Sequence, residues 1–186
     1  MAKGVTHLIE RFKPIHYILD VEPNREKQTF KGTVIISGEN VYKPSHRLTF
    51  HQSGLKITKV HVTRHDKKVD QVMTVDRINT HDNFDEVRIH TKEMLYPGKY
   101  TVTLEFSGKI TRPMNGLYPC YFTHDGKDKQ LLATQFESHH AREVFPCIDE
   151  PAAKATFDLT LRTMPGEVAL SNMPIKEQTE KDGALI

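Results

Sequence analysis

The sequence has no tryptophan, only two cysteines and almost no net charge, and each shortage excludes a class of protein. Without tryptophan, a carbohydrate-binding sandwich lacks its common stacking residue. Two cysteines, Cys120 and Cys147, cannot staple a disulfide-dense scaffold. An exported chain of this size could bridge them. However, no apolar stretch of signal-peptide length follows the basic start of residues 1–10, so the expectation is a cytoplasmic protein with two free thiols. Nothing approaches the roughly 20 consecutive apolar residues that cross a bilayer, so no membrane association is expected. The 26 basic and 24 acidic residues nearly cancel to +2, whereas nucleic-acid binders concentrate basic charge on one face. What remains is 186 residues, 37% hydrophobic and 27% charged, enough for one domain with a full core and short for two. A single domain over 1–186 is expected.

The hydrophobic period is two. Ile15–Val21 begins a strand-like run that ends at Glu22-Pro23-Asn24, and Thr29–Gly38 is rich in β-branched residues. Further runs lie at 47–50, 55–63, 71–75, 86–90 and 100–106, separated by turn clusters such as Tyr96-Pro97-Gly98. In Tyr100–Phe106 the apolar Tyr100, Val102, Leu104 and Phe106 share one face. By the same alternation, Leu159 and Leu161 of Phe157–Arg162 should point inward. Short runs at this spacing predict an all-β antiparallel sandwich. The best place for helical structure is one or two turns near Ser138–Glu143.

Residues 114–151 differ in kind. Asn115-Gly116 is a tight-turn dipeptide, and Tyr118-Pro119-Cys120-Tyr121-Phe122 follows. His124–Lys129 reads as a hydrophilic loop, after which an apolar run leads into Thr134-Gln135-Phe136-Glu137-Ser138. Proline, acid and cysteine then cluster in Phe145-Pro146-Cys147-Ile148-Asp149-Glu150-Pro151. Function is expected here.

Gln135 and Glu137, two apart on an extended segment, point the same way and together can grip a primary ammonium group. A plain solvent-exposed glutamate at a strand end fits the same spacing. His139-His140 invites a metal, but neighbours on a strand face opposite sides, and the His-Glu-x-x-His spacing of zinc helices is absent. His124, His139 and His140 therefore read as ordinary surface or hydrogen-bonding residues. Cys147 sits beside Asp149-Glu150, and carboxylates raise a thiol's pKa, the reverse of what a nucleophile needs. No Gly-x-Ser-x-Gly elbow and no phosphate-cradling glycine loop occurs. The residues alone give no complete catalytic constellation.

Residues 133–157 closely resemble a signature of the aminopeptidase N family of zinc metallopeptidases: Thr134-Gln135-Phe136-Glu137, then Ala141-Arg142, then Phe145-Pro146-Cys147-Ile148-Asp149-Glu150-Pro151 and Lys154-Ala155-Thr156-Phe157. Pro14-Ile15-His16-Tyr17, Phe30-Lys31-Gly32, Leu48-Thr49-Phe50-His51 and Leu170-Ser171-Asn172-Met173-Pro174 extend the likeness over nearly the whole chain. The resemblance implies an amino-terminal, saddle-like β domain packed over a thermolysin-like catalytic domain. It implies that Glu137 helps bind the α-amino group of a peptide substrate and that Gln135 lines the pocket for its first side chain. Phe145–Pro151 would be mostly architecture, its acids making the local contacts that hold Glu137 in place.

Two departures from the family pattern stand out. Pro119-Cys120 follows Gly116-Leu117-Tyr118 where relatives often have Arg-Ser. The Gly-x-Met-Glu-Asn and His-Glu-x-x-His motifs do not occur. The expectation is a fragment without zinc of its own, the metal belonging to the full-length parent, and inactive alone. Its expected partners are peptide substrates and the catalytic domain of the same polypeptide. The competing expectation is a non-catalytic protein-binding or scaffold module of the same fold.

Overall fold

The computed structural model describes residues 7–181 and 184–186. Phe12–Asn24 (β1) and Thr29–Asn40 (β2) form a long antiparallel pair. Ser45–His51 (β3), Lys56–His65 (β4), Gln71–Met73 (β5), Val75–His81 (β6), Glu86–Leu95 (β7) and Gly98–Lys109 (β8) follow. Gly116–His124 (β9) and Lys127–Gln135 (β10) make a hairpin, Thr156–Leu161 is β11, and the short Glu180–Lys181 (β12) and Ala184–Leu185 (β13) pair with each other. One sheet has six strands in the order β11-β1-β2-β8-β4-β5, and a second has three, β3-β7-β6. The fold is all-β, as the period of two requires. Among the described residues no helix is long and apolar enough to cross a membrane.

Alternation decides which side chains fill the space between the sheets. Tyr100, Val102, Leu104 and Phe106 of β8 are all buried, the face read from the sequence. Val34 and Ile36 of β2 and Val62 of β4 extend that layer, and Leu48, Phe50, Val87 and Ile89 of the small sheet join the same core. Phe12 meets Phe50 edge-on at 5.2 Å, tying the large sheet to the small one. At about 25 cal/mol per Å² of apolar surface, such burial supplies most of the drive to fold. At Gly32 a Cβ would lie 2.5 Å from the Asp20 carbonyl oxygen and 2.7 Å from the Phe106 ring, so only glycine fits there.

Two finer expectations need correction. The antiparallel pattern holds for every described strand pairing but one, that of β1 with the parallel β11. β11 lies on the edge of the large sheet, and Leu159 is 45% exposed, so it does not point inward as the alternation suggested; Leu161 is half-buried against the core. Alternation identifies a face but cannot say whether a layer covers it. His124–Lys129 is not a loop: Asp125 and Gly126, at φ 52° and 69°, form a two-residue turn between paired strands. Asp-Gly is a strong signal for such a left-handed turn, and the charged residues around it belong to exposed strand ends. β6 was missed for most of its length because its sequence, Val-Asp-Arg-Ile-Asn-Thr-His, is that of a polar edge strand held by pairing with β7.

Candidate functional site

The segment that carries Gln135 and Glu137 leaves β10 and turns at once into the core. Phe136 is half-buried, whereas Gln135 and Glu137 on either side of it are exposed, so the period of two persists past the last strand residue. Phe136 meets Phe145 edge-on at 6.0 Å, and Phe145 in turn meets Tyr17 and Phe157, each at 6.3 Å. Tyr17 and Phe157 stack at 4.7 Å. This aromatic cluster draws Phe136 in and leaves its two polar neighbours out. The Gln135 Oε1 accepts a long hydrogen bond, 3.4 Å, from the Glu137 N–H. The Glu137–Ser138 peptide is cis. The Glu137 carboxylate makes no hydrogen bond or ion pair with any described residue, and the Gln135 amide NH2 is likewise unengaged.

Behind this segment the chain makes the helical turn expected near 138–143, in the tighter 3-10 form over Ala141–Glu143. The His140 N–H donates to the Phe136 carbonyl at 2.9 Å in the turn just before it, and the Val144 N–H donates to the Ala141 carbonyl at its end, also at 2.9 Å. Gly116, the register partner of Gln135, has φ 63°, and a Cβ there would come within 2.9 Å of a Glu143 carboxylate oxygen. Glycine at 116 thus lets the open end of the hairpin sit directly on the turn.

The acids of the Phe145–Pro151 run make local contacts. Arg142 donates from Nε to an Asp149 carboxylate oxygen at 3.0 Å and from Nη2 to the Asp149 carbonyl at 3.2 Å. Its Nη1 lies 3.7 Å from Asp85, whose carboxylate accepts from the Ser53 hydroxyl. Cys147 and His51 exchange both backbone hydrogen bonds, at 2.8 and 3.1 Å. The Asp149 N–H donates to His51 Nδ1 at 3.0 Å, and the Ile148 N–H donates to the Tyr17 hydroxyl at 3.1 Å. Glu150 accepts from the Leu8 N–H at 2.6 Å and lies 4.0 Å from His51 Nε2. The motif is therefore a junction that ties β1, β3 and Leu8 to the turn behind Glu137. Sequence reasoning saw the motif's acids but not their partners. His51, Tyr17 and Asp85 lie far from it in the chain, and nothing local marks them.

The electrostatics agree with structural roles. Burial, and then the neighbouring Asp149 charge, pushes the Cys147 thiol well above its ordinary range, which suppresses the thiolate. Burial, and then the Arg142 charge, lowers the His51 pKa, which keeps that ring neutral and its Nδ1 an acceptor. His140 Nδ1 lies 2.7 Å from Glu143, and His139 Nδ1 lies 2.7 Å from the Ser138 hydroxyl. Their rings stack on one another at 4.7 Å, so both are occupied locally. His124 Nε2 lies 3.4 Å from the carboxylate of its neighbour Asp125. Among the described residues no three His, Cys, Asp or Glu side chains converge on one point, so this donor set does not fit a zinc ion.

The sequence model of the family described as Peptidase M1 N-terminal domain matches residues 13–186. Aminopeptidase N of Lactococcus lactis subsp. lactis is 40% identical over 177 residues, which are 94% of this chain and 19% of that protein. Aminopeptidase N of Lactobacillus helveticus is 35% identical over 182 residues, 97% of this chain and 20% of that protein. Glutamyl aminopeptidase of Homo sapiens is 36% identical over 174 residues, 91% of this chain and 18% of that protein. The chain thus spans about a fifth of the length of the curated relatives it matches. With that match running along the β strands and through the Gln135–Pro151 junction, the chain belongs to the amino-terminal domain family of the M1 aminopeptidases.

Proposed function

We propose that this domain supplies the amine-recognition side of an aminopeptidase site whose catalytic machinery lies elsewhere in the polypeptide. The observation that carries the reading is the placement of Gln135 and Glu137: both exposed, the carboxylate and the amide NH2 unengaged by any described residue, on a segment anchored between them by Phe136. A peptide's α-ammonium, with a pKa of about 8, is largely protonated near neutrality and suits an exposed carboxylate. Glu137 takes that charge, and the Gln135 amide borders the first side chain of the substrate. An enzyme that requires a terminal ammonium trims ends and does not cut internally.

The zinc that the family resemblance implies belongs, in this reading, to the catalytic machinery elsewhere in the polypeptide. The chain alone is accordingly inactive. The catalytic domain of the same polypeptide is its partner. Support comes from the exposed apolar side chains of the carboxy-terminal stretch, among them Phe157, Leu159, Val168, Leu170 and Met173, a surface that suits coverage by more protein.

The test is kinetic. In the full-length parent, Glu137→Ala should lower kcat/KM for amino-terminal substrates by about 100-fold or more, the scale of losing a charge-assisted contact of roughly 3 kcal/mol. Gln135→Ala should chiefly change the ranking of first residues. An unaffected Glu137→Ala enzyme would favour the scaffold reading, with Glu137 an ordinary surface carboxylate.

A further inference from the structure

The outer face of the small sheet carries an unusual row of like charge. Arg47 on β3 and Arg77 on β6 are both register partners of His90 on β7. Two residues along, Arg88 stands opposite Thr49. His90 thus stands between two arginines on one face of the sheet, with Arg88 two residues along on the same strand. Carboxylates relieve only part of the row: Glu86 holds Arg88 at 2.8 Å, and Asp76 lies 3.6 Å from Arg77. Arg47 makes no ion pair with any described residue.

Beside Arg47 the surface is concave. A cavity of about 310 Å³ has Arg11, Lys43 and Arg47 in its wall beside Tyr42, His90 and the apolar Phe12 and Leu48, with no carboxylate among its lining residues. The Tyr42 ring carries the Arg11 guanidinium at 4.8 Å from its centre and the Lys43 ammonium at 5.6 Å, which holds two further cations at the rim. Arg11 and Lys43 make no ion pair with any described residue either. Asn40 and Ser45, also in the wall, spend their side chains on the backbone of Leu95, Tyr96 and Arg47. Burial, then the Arg88 and Arg11 charges, depresses the Arg47 pKa, and burial, then the Arg77 and Arg47 charges, depresses that of His90, which keeps the His90 ring neutral beside the cations.

We propose that this cleft is a binding site for a small, multiply charged oxyanion of the phosphate type. Two guanidiniums and an ammonium around one hollow match such an anion: arginine forks take two oxygens in a plane, and the lysine adds a point charge. The cavity's volume stands at the lower end of small-molecule sites, which suits a diphosphate better than a nucleotide. None of its residues is shared with the Gln135–Glu137 segment, so the proposal stands apart from peptide recognition.

The experiment is isothermal titration of the chain with orthophosphate and with diphosphate at constant ionic strength, with amide chemical shifts to locate the site. Saturable binding of one diphosphate per chain is expected, tighter than orthophosphate, with shifts centred on residues 40–49 and 88–91. Arg47→Met and Lys43→Ala should each weaken it by about tenfold or more, while Lys31→Ala on β2, where Lys31 pairs with Glu22, should leave it unchanged. Lys43 is exposed, so its variant decides the matter should Arg47→Met fail to fold. Heats no greater than dilution up to about 10 mM, an equal loss in Lys31→Ala, or shifts centred elsewhere would each overturn the proposal. So would a glutamate-rich peptide binding the cleft when diphosphate does not.

Discussion

His51 and Asp149 are joined across 98 positions of sequence by one hydrogen bond, the Asp149 N–H donating to the His51 Nδ1 at 3.0 Å. The acceptor exists only while the ring is neutral on that nitrogen. Protonation would set an N–H against an N–H, in a site where burial and Arg142 already disfavour the charged ring.

Acid stability follows from this. A histidine whose folded pKa lies below its unfolded value of about 6.5 binds more protons when unfolded, so stability is full above that pH. It falls as the pH drops through 6.5 towards the folded value. His90, also lowered, acts in the same direction. Urea denaturation at pH 8 and pH 5.5 should show this loss, and His51→Asn, whose amide oxygen can replace Nδ1 as acceptor, should reduce it. An unchanged pH dependence in His51→Asn would remove His51 from the explanation.

Arg142 and Asp149 form a pair whose side chains are only 13% and 11% exposed. Removing one partner of such a pair leaves a buried charge, at a cost of about 3 kcal/mol. Arg142→Met should therefore lower the urea midpoint strongly. Arg142→Lys should recover little, because a lysine cannot reproduce the two donors that reach the Asp149 carboxylate and carbonyl. Equal stability of Arg142→Lys and the parent chain would contradict the forked geometry.

Phe145 is 4% exposed and touches Phe136, Tyr17 and Phe157 at once. Phe145→Ala should cost about 3–5 kcal/mol. It should also broaden or shift the amide signals of residues 135–138, since Phe136 loses its seat. A stability loss with those signals unmoved would show that the cluster supports the fold without positioning Glu137.

The two thiols should differ in reactivity. Cys147 is buried and held as the thiol, whereas Cys120 on β9 is only partly covered. A thiol reagent at neutral pH should modify one cysteine per folded chain, Cys120, and reach Cys147 only after unfolding. Mass spectrometry of the modified peptide distinguishes them; prompt labelling of Cys147 would mean that the junction opens readily.

The sequence by itself determined the all-β class, the inward face of β8, the helical turn before the junction and the family, because these rest on short-range periodicity and on one ordered run of residues. It also placed Gln135 and Glu137 on one face, since alternation across Phe136 is a local property. It could not say whether a face is covered: Leu159 alternates correctly and is nonetheless exposed on an edge strand. Nor could it find the polar edge strand β6, which exists only through its partner β7. The partners of the Phe145–Pro151 acids, and the cation cleft formed where Arg11, Lys43 and Arg47 meet His90, were decided by tertiary structure alone. Residues from distant strands acquire a common electrostatic environment only when the sheets bring them together, and no pattern along the chain encodes that meeting.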